Sequence, residues 1–102
     1  MREGKGYPDC VRYHPEHNST VFAVTDEKGA VVAVHEVFLD REAKEIGRKT
    51  TGAADLGHVK FPGKGPSRIF KGEPEDGMKL WLETGNEVWV DVSGIQDTFP
   101  GR

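Results

Sequence analysis

The sequence predicts a small α+β domain, mostly β, built on two antiparallel hairpins with at most one or two short helices. Three observations carry that prediction. Residues 21–40 read VFAVTDEKGAVVAVHEVFLD, two runs rich in β-branched and aromatic residues around Asp26-Glu27-Lys28-Gly29, the composition that strands and a tight turn require. Residues 78–93 read MKLWLETGNEVWVDVS and repeat the arrangement around Gly85. Thirteen Gly and six Pro among 102 residues favour many turns and short strands over long helices.

This length supports a single domain over residues 1–102 with one modest core, and leaves no room for a catalytic domain beside a substrate domain. Residues 1–9 and 94–102 are expected to be loose termini. One cysteine, Cys10, precludes an intrachain disulfide. Without a secretory pattern or an apolar run near the roughly 20 residues that span a bilayer, the expected location is cytoplasmic.

Residues 10–14 (CVRYH) read as a short strand stopped by Pro15, which cannot donate to a ladder. In the first hairpin, a type I turn with Gly29 in the left-handed region sets Asp26 against Ala30. That register places Phe22 opposite Val34 and Val24 opposite Val32 on the core face. Val21–His35, Ala23–Ala33 and Thr25–Val31 pair on the other face. Residues 39–49 (LDREAKEIGRK) allow two turns of helix with Asp40 as N-cap and Gly47 as stop, or a charged loop. Residues 50–66, rich in Gly and Pro, read as an irregular surface excursion. A strand follows at 67–71, then an acidic turn at 72–77. The second hairpin sets Leu82, Leu80 and Met78 against Val88, Val90 and Val92 in the core. Trp81 and Trp89 pair on the reverse face beside Lys79 and Asp91.

The net charge of −3 conceals a basic middle, where residues 41–71 hold eight Lys and Arg against three acids. Arg41, Lys44, Arg48, Lys49, Lys60, Lys64 and Arg68 are therefore candidates for contact with phosphate or an acidic protein face, the alternative being a solvated loop. Trp81 and Trp89 join them as candidates to stack on bases or anchor a protein, unless another element covers them.

Catalytic and cofactor chemistry finds no foothold. The segment Phe61-Pro62-Gly63-Lys64-Gly65 lacks the upstream glycine of a P-loop, and Gly65 stands where Ser or Thr must follow the lysine. Cys10, His14 and His17 are metal-ligand types without the second tight pair of a structural zinc site, so no metal or other cofactor is expected. On a strand Cys10 and His14 lie too far apart for direct proton transfer. No catalytic residue is assigned.

Taken in order, the motifs CVRYHP at 10–15, the hairpin at 21–40, SRIF at 67–70 and GEPEDGMKLWL at 72–82 resemble the domain that precedes the Toprim fold in primase-helicase proteins of phages and other mobile elements. That resemblance implies a bacterial-host cytoplasm and an association with DNA replication. It does not carry Toprim catalysis over: Glu83-Thr84-Gly85-Asn86-Glu87 only echoes the family's first acidic motif, the second is missing, and Glu36 stands where relatives tend to have arginine. The expectation is a non-catalytic module contacting nucleic acid or a replication partner. The alternative is a stand-alone inhibitor that blocks a host protein such as a nucleic-acid-directed defence complex.

Overall fold

The computed structural model describes residues 8–98. The parts of the expected loose termini at 1–7 and 99–102 lie outside the described residues. The domain is mostly strand with one α-helix, as the sequence predicts. In chain order the elements are β1 (Val11–His14), β2 (Ser19–Thr25), β3 (Val31–Leu39), β4 (Glu45–Gly52), a 3-10 turn (Ala54–Leu56), β5 (Val59–Phe61), β6 (Lys64–Lys71), α1 (Pro74–Thr84) and β7 (Asn86–Asp91). No helix among the described residues is long and apolar enough to cross a membrane.

The first sheet is an antiparallel meander, β1-β2-β3-β4. Its first predicted turn forms as expected: Gly29 (φ 85°) donates its N–H to the Asp26 carbonyl at 3.0 Å, and Asp26 Oδ1 accepts the N–H groups of Lys28 and Ala30 at 2.9 Å. Thr25 pairs with Val31 as predicted, but the register then shifts, and Val24 faces Ala33 while Phe22 faces His35. Val32 is the extra residue. This bulge turns Ala33, His35 and Val37 inward and leaves Val32 and Val34 half-buried, so the predicted Phe22–Val34 and Val24–Val32 pairs do not form. The physical reason lies further along the strand. Unbroken alternation from Val32 and Val34 carries the Glu36 carboxylate into the core, whereas the bulge sends Glu36 outward and Val37 inward.

Residues 39–49 are not helical. Asp40 Oδ1 accepts the N–H groups of Glu42 and Lys44 at 2.8 and 3.0 Å, closing a tight turn with Ala43 at φ 65°, and β4 begins at Glu45. Side-chain acceptance by an aspartate serves a turn here rather than a helix cap.

The second predicted hairpin is also replaced. Met78–Thr84 belongs to α1, and β7 runs parallel to β6 and antiparallel to β5, in the order β5-β7-β6. Parallel neighbours need a crossover, and α1 supplies it. Pro74 opens the helix with Glu75 and Asp76 in its first turn, both favoured there. Gly85, the expected hairpin centre, is the left-handed C-cap at φ 73°, its N–H bonded to the Trp81 carbonyl at 2.8 Å. Burial follows the helical period, with Pro74 and Gly77 buried and Met78 and Trp81 partly so, while Leu82 is 68% exposed. Trp81 and Trp89 therefore do not pair.

The sheets meet where Thr25 and His58 exchange backbone hydrogen bonds of 2.9 and 3.0 Å. Phe22, Val24 and Val37 from the first sheet and Val59, Phe61, Val88 and Val90 from the second form one core, against which Met78, Leu80 and Trp81 of α1 pack. The stretch 50–66, expected to be irregular, contains the end of β4, the 3-10 turn, β5 and the start of β6. Within the expected loose tail, Thr98 bridges Arg48 at 2.7 and 2.8 Å and Asp97 accepts the Thr50 N–H at 2.9 Å.

Candidate binding surface

Of the predicted basic residues, Arg48 has a different role from the one its charge suggests. It lies on the inward face of β4, is 3% exposed, and aims its guanidinium at the start of α1. Nη2 donates to Glu45 Oε1 at 2.7 Å and Glu75 Oε2 at 2.6 Å, Nε donates to Glu45 Oε2 at 2.8 Å, and Glu73 stands 3.8 Å away. The planar fork of arginine suits such paired acceptance. Ion pairing with Glu45 and Glu75 raises the arginine pKa, and Arg48 holds Glu45 below the usual carboxylate range. Arg48 is thus an internal tie between the first sheet and α1, with no face left for an external phosphate.

His35, fully buried, completes this cluster. Arg48 Nη1 lies 3.1 Å from His35 Nε2, and arginine only donates, so Nε2 accepts and Nδ1 carries the proton that goes to Thr50 Oγ1 at 2.7 Å. Burial first and the Arg48 charge second lower the His35 pKa from its ordinary 6.5. The unfolded chain then binds the extra proton first. The His35 contribution to stability is complete above about pH 6.5 and shrinks as pH falls below it. Urea midpoints measured between pH 7.5 and 5.5 are expected to fall for the wild type and to flatten over that window for His35→Gln. The Glu45 contribution is lost lower, as pH falls from about 4.5, so the two are separable.

The other face of the first sheet carries a second polar cluster. Glu36 accepts from the Ser19 hydroxyl and lies 2.9 Å from His17 Nδ1, and the His14 and His17 rings stack at 4.0 Å. Cys10 is buried in the core, and burial pushes its thiol up to about 11. A thiol so protonated is a poor nucleophile at neutral pH. Among the described residues no group of three or more His, Cys, Asp or Glu side chains is placed to hold a metal ion.

The open face of the second sheet has the features of a binding surface. With Val59, Phe61, Val88 and Val90 directed into the core, strand alternation puts Lys60, Trp89 and Ile69 side by side on the outer face, cross-strand neighbours in one row. Lys60 Nζ stands 4.6 Å from the Trp89 ring centroid and donates to the Asp26 carbonyl at 2.6 Å. That is cation–π geometry, with one of the three ammonium donors held by the carbonyl. The His58 ring is 5.4 Å from Trp89, tilted by 41°. Trp89 Nε1 is buried and makes no well-aligned hydrogen bond; its electrostatic partner is Glu87, whose carboxyl Ser67 first and Trp89 second hold below the usual range.

Beside this row is a cleft of about 630 Å³, walled by Asp26, Glu27, Lys28, Val32, Asp55, Leu56, Gly57, His58, Lys60 and Trp89. Leu56 on its rim is 63% exposed, and Ile69 across the sheet is 62% exposed. The surroundings are mixed in charge, with Asp26, Glu27, Asp55, Lys28 and Lys60 among the lining residues.

The predicted candidates are thus dispersed. Lys60 and Trp89 come together on this face. Lys64 and Arg68 are exposed on the neighbouring β6, Arg41 and Lys44 on the turn between β3 and β4, and Lys49 lies opposite Glu36 on β4. Trp81 lies on α1, stacked on Phe61 at 5.9 Å with its indole N–H donated to the Pro62 carbonyl. Sequence reasoning missed His58, Leu56 and Ile69. The alternation His58-Val59-Lys60-Phe61, apolar at every second place, is the signal that puts His58 and Lys60 on one side of a strand.

Comparison of the chain with protein-family models, with curated proteins and with solved structures gives no match.

Proposed function

We infer that this chain is a non-catalytic binding module of phage or mobile-element origin, associated with DNA replication, that engages a protein partner through the open face of its second sheet. The origin and the replication setting rest on the resemblance of its motifs to the domain preceding Toprim. The choice of a protein partner rests on one observation: Leu56 and Ile69 present exposed apolar surface, with Trp89 half-buried, beside a rim of mixed charge. Aromatic and aliphatic anchors inside a polar rim are the anatomy of a protein interface. A groove that tracks a phosphate backbone needs a longer line of cations than this chain presents: Arg48 is internal, Arg41, Lys44 and Lys49 belong to the first sheet and its turn, and only Lys64, Arg68 and Lys71 share one strand. A module that blocks a host protein, such as a nucleic-acid-directed defence complex, uses the same face, and the partner's identity separates that role from a replication role.

Nucleic-acid binding is the second reading, favoured by Lys60 over the Trp89 ring, a pair suited to stacking a base beside a phosphate. Titration of single-stranded DNA into the protein at rising salt separates the two. The protein-partner reading expects no saturable binding at 50 mM salt, together with recovery of a bacterial partner that Trp89→Ala reduces at least tenfold. DNA affinity that falls steeply with salt and is lost in Lys60→Glu overturns it in favour of the second reading.

A further inference from the structure

In the order β5-β7-β6, among the described residues only one side of β6 is paired, so half of its backbone N–H and C=O groups face away from the sheet. Pro66, which lacks an N–H, interrupts its first half, as proline does on edge strands. Residues 67–71 contain no proline. Along β6 the charged residues are Lys64, Arg68 and Lys71, all exposed, with no acid among them. Among the described residues neither Lys64 nor Arg68 has an ion-pair partner. Ile69 stands 62% exposed in the middle, adjoining Trp89 on the open face.

We propose that residues 67–71 of β6 form a docking edge for an extended acidic segment of the partner protein, added to the second sheet as a fourth strand. The proposal rests on the second sheet being the binding surface, and deepens it by naming the partner's chemistry. Strand addition satisfies the outward backbone groups of the edge. An acidic side chain beside Arg68 neutralises the cation of this edge, and an aliphatic residue next to it, on the other face of the added strand, covers Ile69. A second copy of β6 is the wrong occupant, because it brings three more cations and no acid.

The probe is a labelled ten-residue peptide alternating valine with glutamate, titrated into the whole chain and read by anisotropy. The expected result is saturable binding that weakens with salt, falls at least tenfold in Arg68→Glu and in Ile69→Lys, and disappears when the peptide's central residue is proline. Both substituted positions are exposed, and circular dichroism verifies that the variants fold. No saturable binding at millimolar peptide and low salt overturns the proposal and leaves the cations as a guard against self-pairing. Equal binding of the proline peptide, or indifference to Arg68→Glu, also overturns it. So does a dimer in sedimentation that Ile69→Lys dissociates. If partner recovery depends on Trp89 but not on Arg68 or Ile69, the open face stands as the binding surface and the edge falls; the converse result retains the edge and removes the Trp89 face.

Discussion

Arg48→Ala is expected to lower the unfolding free energy by about 2–3 kcal/mol, less than the full cost of breaking a buried ion pair because Glu45 and Glu75 are 44% and 35% exposed and stay partly hydrated. The arginine is 3% exposed and holds Glu45 and Glu75 at 2.7 and 2.6 Å. Its removal leaves those carboxylates facing each other without a counter-charge and takes the donor from His35 Nε2. A domain of this size has roughly 5–15 kcal/mol in total, so the variant loses a substantial share of it. Urea unfolding of Arg48→Ala against wild type checks the value. A second variant, Arg48→Met with Glu45→Gln and Glu75→Gln, is expected to recover much of the loss, because the unpaired charges leave with the arginine. A loss below about 1 kcal/mol in Arg48→Ala means that the cluster behaves as a surface ion pair.

Gly77→Ala is expected to destabilise by about 1–2 kcal/mol, although alanine is the better helix former by roughly 1 kcal/mol. Space decides the sign. A Cβ on Gly77 meets Val90 Cγ2 at 2.2 Å and Phe61 at 3.3 Å, and both neighbours are fully buried core side chains with nowhere to move. Overpacking therefore outweighs propensity. Val90→Ala in the same chain removes the clashing methyl, so the double variant is expected to be more stable than the sum of the two single effects. If Gly77→Ala raises the urea midpoint, α1 does not approach the second sheet this closely.

What the sequence made legible, and what it hid, follows from local chemistry. The turns at Asp26 and Asp40 are the same: in each, the aspartate N–H bonds the carbonyl four residues on, its carbonyl accepts from three residues on, and its Oδ1 accepts two further N–H groups. The first was readable because Gly29 fills the left-handed position. The second was not, because Ala43 fills it, and a non-glycine residue there carries no turn signal. The strand periodicity at 78–92 misled because Met78, Trp81 and Gly77 also satisfy a helical period, and a left-handed glycine serves a helix end as well as a hairpin. The bulge at Val32 was hidden because only the cost of burying Glu36 reveals it. Of the candidate surface, Lys60 and Trp89 were visible as residue types, but their meeting depends on β5 and β7 being neighbours across nearly thirty residues. The burial of Arg48 depends on α1, an element that the hairpin expectation had removed.

If a partner protein sits on the open face of the second sheet, residues on that face lie within crosslinking reach of it. Photo-crosslinking in a bacterial host tests this most directly, with a photoreactive residue in place of Leu56 on the cleft rim or, as a control, of Leu82 on α1, which is equally exposed at 68% against 63%. The expected result is a discrete crosslinked protein from the Leu56 position, lost when Trp89→Ala is added, and none from the Leu82 position. A product from the Leu82 position alone contradicts it.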